Sequence, residues 1–323
     1  MKKSFIISLL ATTLLLRGCS GQSQGASSKT SLGSKIGQIK NAYSQASSNT
    51  KGNISNTEKE GLSQDEYTKL AKSKFQNGSY GYIYVNNNKS TLNPESWKQN
   101  KVVYSSLDNL NRASKPNIGY LEKRNIANDS LRIRQTVEPT GWHYNTRNGE
   151  QLYNRGHLIA YSVSAGIDQN GNYNPQNQSG DQNNPKNLFT QTAYSNQQLQ
   201  TIFEKKVRTA LRENKKVIYE ATAVFDGNNK MATGVNLQAV STDGSLNFNV
   251  FIYNVQPHYS FNLADGRAKK DNSVVVKELP ASLQSHYNDN GGNNRTSLNR
   301  KFFKRNSSYY QHQKWETRLH QYY

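Results

Sequence analysis

Six histidines are available for chemistry: His143, His157, His258, His286, His312 and His320. No two have the spacing of a helical zinc pair, and His-Glu-x-x-His is absent. A phosphate-binding P-loop and a Gly-x-Ser-x-Gly elbow are missing too, so zinc hydrolysis and nucleotide-driven chemistry drop out. His157 stands out by its company, Asn154-Arg155-Gly156-His157, followed by apolar Leu158-Ile159-Ala160. A histidine beside glycine is by itself more often an ordinary surface imidazole. Here the glycine would let a bulky substrate approach the backbone. Arg155 offers a planar cation suited to a phosphate or carboxylate. Downstream, Asn187, Gln191, Asn196 and Glu204 follow in order. Asn196 begins an expected helix, where capping is the ordinary structural use of asparagine. Glu204, eight residues on, falls on roughly the same side. An amide oxygen and a carboxylate are hard ligands, better matched to Mg²⁺ than to zinc.

These residues need a scaffold. Leu199, Ile202, Phe203, Val207, Ala210 and Leu211 recur at helical intervals. Residues 80–85, 101–105, 216–225 and 247–255 read as strands, and the alternation over 131–135 suits a half-buried strand. Residues 139–143, Pro-Thr-Gly-Trp-His, mark a turn carrying a large aromatic. Residues 168–187 form a long Asn/Gln/Gly/Asp loop, and loops of that length inside a domain usually carry function or are disordered. The mixture predicts an α+β domain with a largely antiparallel sheet.

The 323 residues carry 41 bases against 22 acids, a net charge of +19. That balance favours a polyanionic partner, whether nucleic acid, anionic membrane or acidic glycan. Cys19 is the only cysteine, so an internal disulfide and a multi-thiolate zinc site are excluded. Lys2 and Lys3 followed by an apolar run over residues 5–16 read as an export signal. Leu16-Arg17-Gly18-Cys19 is similar to a lipobox except for Arg17, so lipidation at Cys19 and free secretion both stand. Beyond residue 290, Arg295, Arg300, Lys301, Lys304, Arg305, Lys314 and Arg318 are interleaved with aromatic residues. Such a tail could stack on nucleic acid or pack its rings on the domain.

Asn154-Arg155-Gly156-His157, then Asn187-Leu188-x-x-Gln191, Asn196 and Glu204, resembles the DNA/RNA non-specific endonuclease family, in particular its secreted streptococcal DNases. Residues 139–143 and Val255-Gln256-Pro257 add to the likeness, which covers roughly residues 110–266. The resemblance implies a ββα-metal (His-Me finger) core on a mainly antiparallel sheet with flanking helices. It implies His157 as general base, Asn196 as the direct Mg²⁺ ligand (with Mn²⁺ as a substitute) and Glu204 as the carboxylate holding the ion's waters. Asn187, Gln191 and Asn154 would support the site, with Arg155 beside the base. An upstream arginine is also implied; Arg124 fits its distance, with Arg132 and Arg134 as competitors. Water attack on phosphorus would leave 5′-phosphate ends on DNA, and RNA stays open as a substrate. Asn154 departs from the family's Asp and removes a charge beside the imidazole.

The expected layout is a signal at 1–19, a flexible Ser/Asn/Gly-rich linker at 20–62, a nuclease domain at 63–289 and a basic aromatic extension at 290–323. The protein would be secreted, or held at the cell surface through Cys19. The competing reading is a non-catalytic, basic, nucleic-acid-binding adhesin, which leaves the spacing of His157, Asn196 and Glu204 unexplained. A cell-wall hydrolase would call for paired carboxylates or a zinc cluster.

Overall fold

The computed structural model describes residues 60–280, apart from 145 and 148, together with Leu283. The expected export signal, the linker up to residue 59 and the basic tail at 290–323 lie outside the described residues.

Long apolar strands supply the frame. Strands β1 (Tyr82–Tyr84), β2 (Lys101–Val103), β3 (Asn117–Leu121), β8 (Val217–Val224), β9 (Gly234–Ser241) and β10 (Asn247–Tyr253) form one sheet in the order β1-β10-β9-β8-β3-β2. Every neighbouring pair is antiparallel. Period-two alternation decides what each face meets. Tyr219, Ala221, Val235, Leu237, Phe248 and Val250 point to the main core, where Phe203, Val207 and Leu211 of helix α2 (Thr201–Arg212) cover them. The opposite face is buried as well and mixes apolar chains such as Ile218, Val240 and Phe251 with paired polar ones: Gln238 Nε2 donates to Glu220 Oε1 at 3.0 Å and Asn236 Nδ2 to Asn249 Oδ1 at 2.8 Å. Leu62 N donates to Glu220 Oε1, so the chain grips the sheet as early as residue 62. Helix α1 (Gln64–Lys72), capped by Ser63, then lays Leu70 against Phe251 and Tyr253.

A separate two-stranded unit carries the residues of interest. Strand β6 (Tyr153–His157) pairs antiparallel with β7 (Leu188–Thr192). A π-helical turn, Ser195–Gln200, runs straight on into α2. This strand–strand–helix unit is fastened to the end of β10 by polar bonds. Thr192 N donates to Asn254 Oδ1 at 2.7 Å, and Asn254 Nδ2 donates to Thr190 O at 3.0 Å. Ser195 Oγ donates to Tyr253 O at 2.5 Å. Two small hairpins, β4 (Thr146–Arg147) with β5 (Glu150–Gln151) and β11 (Tyr259–Asn262) with β12 (Arg267–Lys270), flank β6.

Residues 131–135 are not a strand. A 3-10 turn (Asp129–Leu131) precedes an irregular stretch in which Ile133 is more than half exposed. Its backbone is held by an amide side chain, with Ile133 N donating to Gln182 Oε1 at 2.9 Å in place of a ladder bond. The turn at 139–142 is present: Trp142 N donates to Pro139 O, and Gly141 has φ +75°, which a type II turn requires at that position.

Candidate active site

His157 ends β6, half-buried, with its ring set by a carbonyl group. Its Nε2 lies 3.1 Å from Gln182 O, and a carbonyl oxygen only accepts. The neutral ring therefore carries its proton on Nε2 and leaves Nδ1 as the basic atom. Gln135 Nε2 donates to the same carbonyl at 3.1 Å and steadies it. Burial pushes the imidazole down to about 4; the Gln182 carbonyl opposes that shift and the Arg132 charge adds to it. Asn187, fully buried, pins the chain just beyond the histidine. Its Oδ1 accepts from Ile159 N at 2.8 Å and its Nδ2 donates to Ile159 O at 2.9 Å.

A one-way chain of amides joins the remaining residues. Gln200 Nε2 donates to Glu204 Oε1 and to His157 O, each at 2.8 Å. The His157 carbonyl has no proton to give, so Gln200 turns its Nε2 that way and the direction of every amide behind it follows. Gln191 Nε2 donates to Gln200 Oε1, Asn196 Nδ2 to Gln191 Oε1, Asn154 Nδ2 to Asn196 Oδ1 and Gln151 Nε2 to Asn154 Oδ1. Asn196 is thus held by its neighbours and does not cap the helix. The π-helical turn contributes to this. In a pure α-helix eight steps of about 100° leave two residues about 80° apart. The wider turn rotates less per residue and brings Asn196 and Glu204 closer to one face.

The donor set fits a hard divalent ion. Asn196 Oδ1 gives one lone pair to Asn154 and keeps the second. Burial raises the Glu204 carboxyl, against the Gln200 amide and the charges of Arg208 and Arg132. Among the described residues there is no group of three or more His, Cys, Asp or Glu that could hold a metal ion; an amide oxygen and a carboxylate are hard donors of the kind divalent ions accept.

Residues 89–243 match the family model described as DNA/RNA non-specific endonuclease. The chain carries a DNA/RNA non-specific endonuclease domain. It is accordingly a nuclease. The crystal structure of NucA from Streptococcus agalactiae with magnesium ion bound is similar at TM-score 0.52 and 27% identity, covering 65% of this chain and 97% of that one. The same protein with no metal bound gives TM-score 0.51 and 29% identity, covering 65% and 98%. The antiparallel sheet with its strand–strand–helix unit is the architecture expected of this nuclease class.

Within the nuclease domain three expectations change. The space over Gly156 is filled by protein and is not open to substrate: a Cβ there would lie 2.3 Å from Gln191 Oε1. Arg155 lays its guanidinium 4.3 Å from the Trp142 ring and donates through Nε to Val137 O. Arg124 is engaged elsewhere, paired with Glu122 and stacked 4.0 Å from the Tyr173 ring. Arg132 stacks 4.5 Å from the Tyr161 ring and is near enough for its charge to lower both His157 and Glu204, while Arg134 acts on Arg155. Residues 131–135 therefore bring two arginine charges near β6.

The residues that sequence reading missed are mainly Gln182, Gln135 and Gln200. Gln200 did leave a signal, standing four residues from both Asn196 and Glu204. Gln182 acts through its carbonyl, which no side-chain pattern reveals.

Two outcomes follow for the domain. Gly156→Ala is expected to cost about 1–3 kcal/mol through overpacking and to pull Gln191 off Asn196. Thermal melting together with divalent-ion titration checks this; an unchanged melting temperature with unchanged affinity would refute it.

The second outcome concerns Asp181, raised to about 6 chiefly by burial, with the Asn184 amide opposing. A carboxyl raised on folding stabilises fully below its unfolded value of about 3.9, and that contribution is lost as pH rises through about 6. His157 runs the other way, losing stability as pH falls from about 6.5 to about 4. Asp181→Asn, which keeps an acceptor for Asn184 Nδ2, is therefore expected to melt above wild type at pH 7.5. The two proteins should converge near pH 4. Parallel melting curves across that range would contradict it.

Proposed function

We propose that this chain is an exported or surface-attached, Mg²⁺-dependent endonuclease that hydrolyses DNA with little sequence preference, with RNA left open as a second substrate. The observation that carries the reading is the imidazole fixed by a carbonyl at Nε2 and joined through one amide chain to Asn196 and Glu204. His157 Nδ1 takes a proton from water, which attacks phosphorus in line as the P–O3′ bond breaks and the departing 3′ oxygen takes a proton from solvent. The products are a 5′-phosphate and a 3′-hydroxyl. Arg132 faces the phosphate and offsets its charge. A divalent ion held by Asn196 Oδ1, with Glu204 as the outer carboxylate, would supply charge neutralisation at the phosphate oxygens. Asn154 orients Asn196, and Asn187 with Gln191 keeps the two halves of the site in register.

Sequence preference is low because the cations of this site address phosphates, which carry no base identity. The export signal at 1–19 and Cys19 support a location outside the cytoplasm, free or lipid-anchored.

Plasmid cleavage by the purified chain, with Mg²⁺ or with EDTA, tests the proposal. Nicking and linearisation in Mg²⁺ alone, with ends that ligate without a kinase step, are the expected result. DNA that is retained but never cut in any divalent ion would return the reading to a basic adhesin.

A further inference from the structure

One cavity lies outside the site just described. It measures about 330 Å³ and is lined by His143, Tyr144, Thr146, Arg267 and Ala268. That volume lies at the lower end of the range for small-ligand sites. Its walls are anchored to the active-site strand. Tyr153, the first residue of β6, meets Tyr144 edge-on at 5.3 Å between ring centres and donates through its hydroxyl to Gly266 O at 2.6 Å. The turn between β11 and β12 presses on the Pro139–Trp142 turn backbone to backbone; a Cβ on Gly266 would lie 2.1 Å from Gly141 O. His143 Nε2 donates to Asp265 O at 2.8 Å, so the exposed imidazole is held in place.

Strand geometry relates this cavity to the site. Tyr153, Arg155 and His157 alternate onto one side of β6, and Arg155 stacks on Trp142 of the same aromatic group. Four residues of strand span about 13 Å, a reach of a few nucleotides along an unpaired strand. The mouth is basic. Arg267, Lys269 and Lys270 are exposed on β12, although Arg267 also pairs with Asp265 at 2.8 Å. Aromatic faces beside cations are what an unpaired nucleotide requires.

Resting on the nuclease reading, we propose that this cavity is a distal subsite for the substrate strand. It takes one unpaired nucleotide a few positions from the cleaved phosphate. The base lies against Tyr144 and His143, and the phosphate lies at Arg267 and Lys269. The subsite makes the domain favour single-stranded or frayed nucleic acid over closed duplex.

The test uses the full chain with Mg²⁺ and two substrates, a twelve-nucleotide single strand of about 12 residues and a p-nitrophenyl ester of thymidine 5′-phosphate, too short to reach the cavity. His143→Ala and Arg267→Glu are surface changes; Tyr144→Ala is added with a melting curve as a check on folding. On the long strand KM should rise about tenfold, within the effect of losing one base stack, while kcat stays within about twofold. On the short ester nothing should change. For Arg267→Glu the slope of log KM against log salt should also flatten by about one. Equal KM values on the long strand, or equal losses on both substrates, would overturn the subsite while leaving the nuclease intact. A wild-type chain that cuts neither substrate would remove the nuclease reading, and this proposal with it.

Discussion

Replacing His157 by alanine should lower turnover on plasmid DNA by about 10²–10⁴-fold, the contribution of a positioned general base. Binding of uncut DNA should be unchanged, because the cations beside β6 stay in place. The imidazole is tethered at one nitrogen by Gln182 O, so its loss removes the proton acceptor without releasing a strand or a core contact. The desolvated ring adds a second signature. With its value near 4, the base is neutral through the whole mildly acidic range, and the wild-type rate should fall only as pH drops through about 4. A rate limb near 6.5 would mean a solvated ring. Wild-type turnover in the alanine variant would eliminate His157 as the base.

Asn196→Ala should have the other large effect. It removes the amide oxygen proposed to hold the ion and cuts the amide chain in the middle, stranding Asn154 Nδ2 and Gln191 Oε1. Disturbing a residue that orients a ligand costs about 10–100-fold in affinity, and loss of the ligand itself should exceed that. Mn²⁺ binding measured by calorimetry should weaken beyond that range, with turnover falling in step. Asn196→Asp keeps an oxygen and adds a charge, so it should retain binding better than alanine even though it cannot donate to Gln191. Equal Mn²⁺ affinity in wild type and alanine variant would show that the ion sits elsewhere.

Side-chain identity and spacing carried much of this into the sequence. His157, Asn154, Asn187, Gln191, Asn196 and Glu204 stood out by type and interval, and the fold brings them together. Helix α2 was legible because Phe203, Val207 and Leu211 repeat on one face against the core. Strand β9 was not: Asn236 and Gln238 occupy its second face as buried amides, which blurs the contrast that alternation needs. The arginines failed for a different reason. Distance along the chain pointed to Arg124, but its partners Glu122 and Tyr173, like the Tyr161 ring beneath Arg132, are set by the fold and leave no mark in the spacing. The run at 131–135 alternated like a strand, but its backbone is held by the Gln182 side chain and has no ladder partner. Gly156 was misread because the atom filling its missing side chain belongs to Gln191, thirty-five residues away.

The grip on the imidazole has a further consequence. Gln182 belongs to an irregular loop, secured by amide side chains to Leu131 and Ser179, and not to the six-stranded sheet. Such segments open at far lower free energy than a sheet core. Although Gln182 is itself buried, the grip on the ring is expected to loosen before the sheet does. Warming or mild denaturant would slacken one loop, let the ring turn away and silence cutting while every strand still holds, and cooling would restore it.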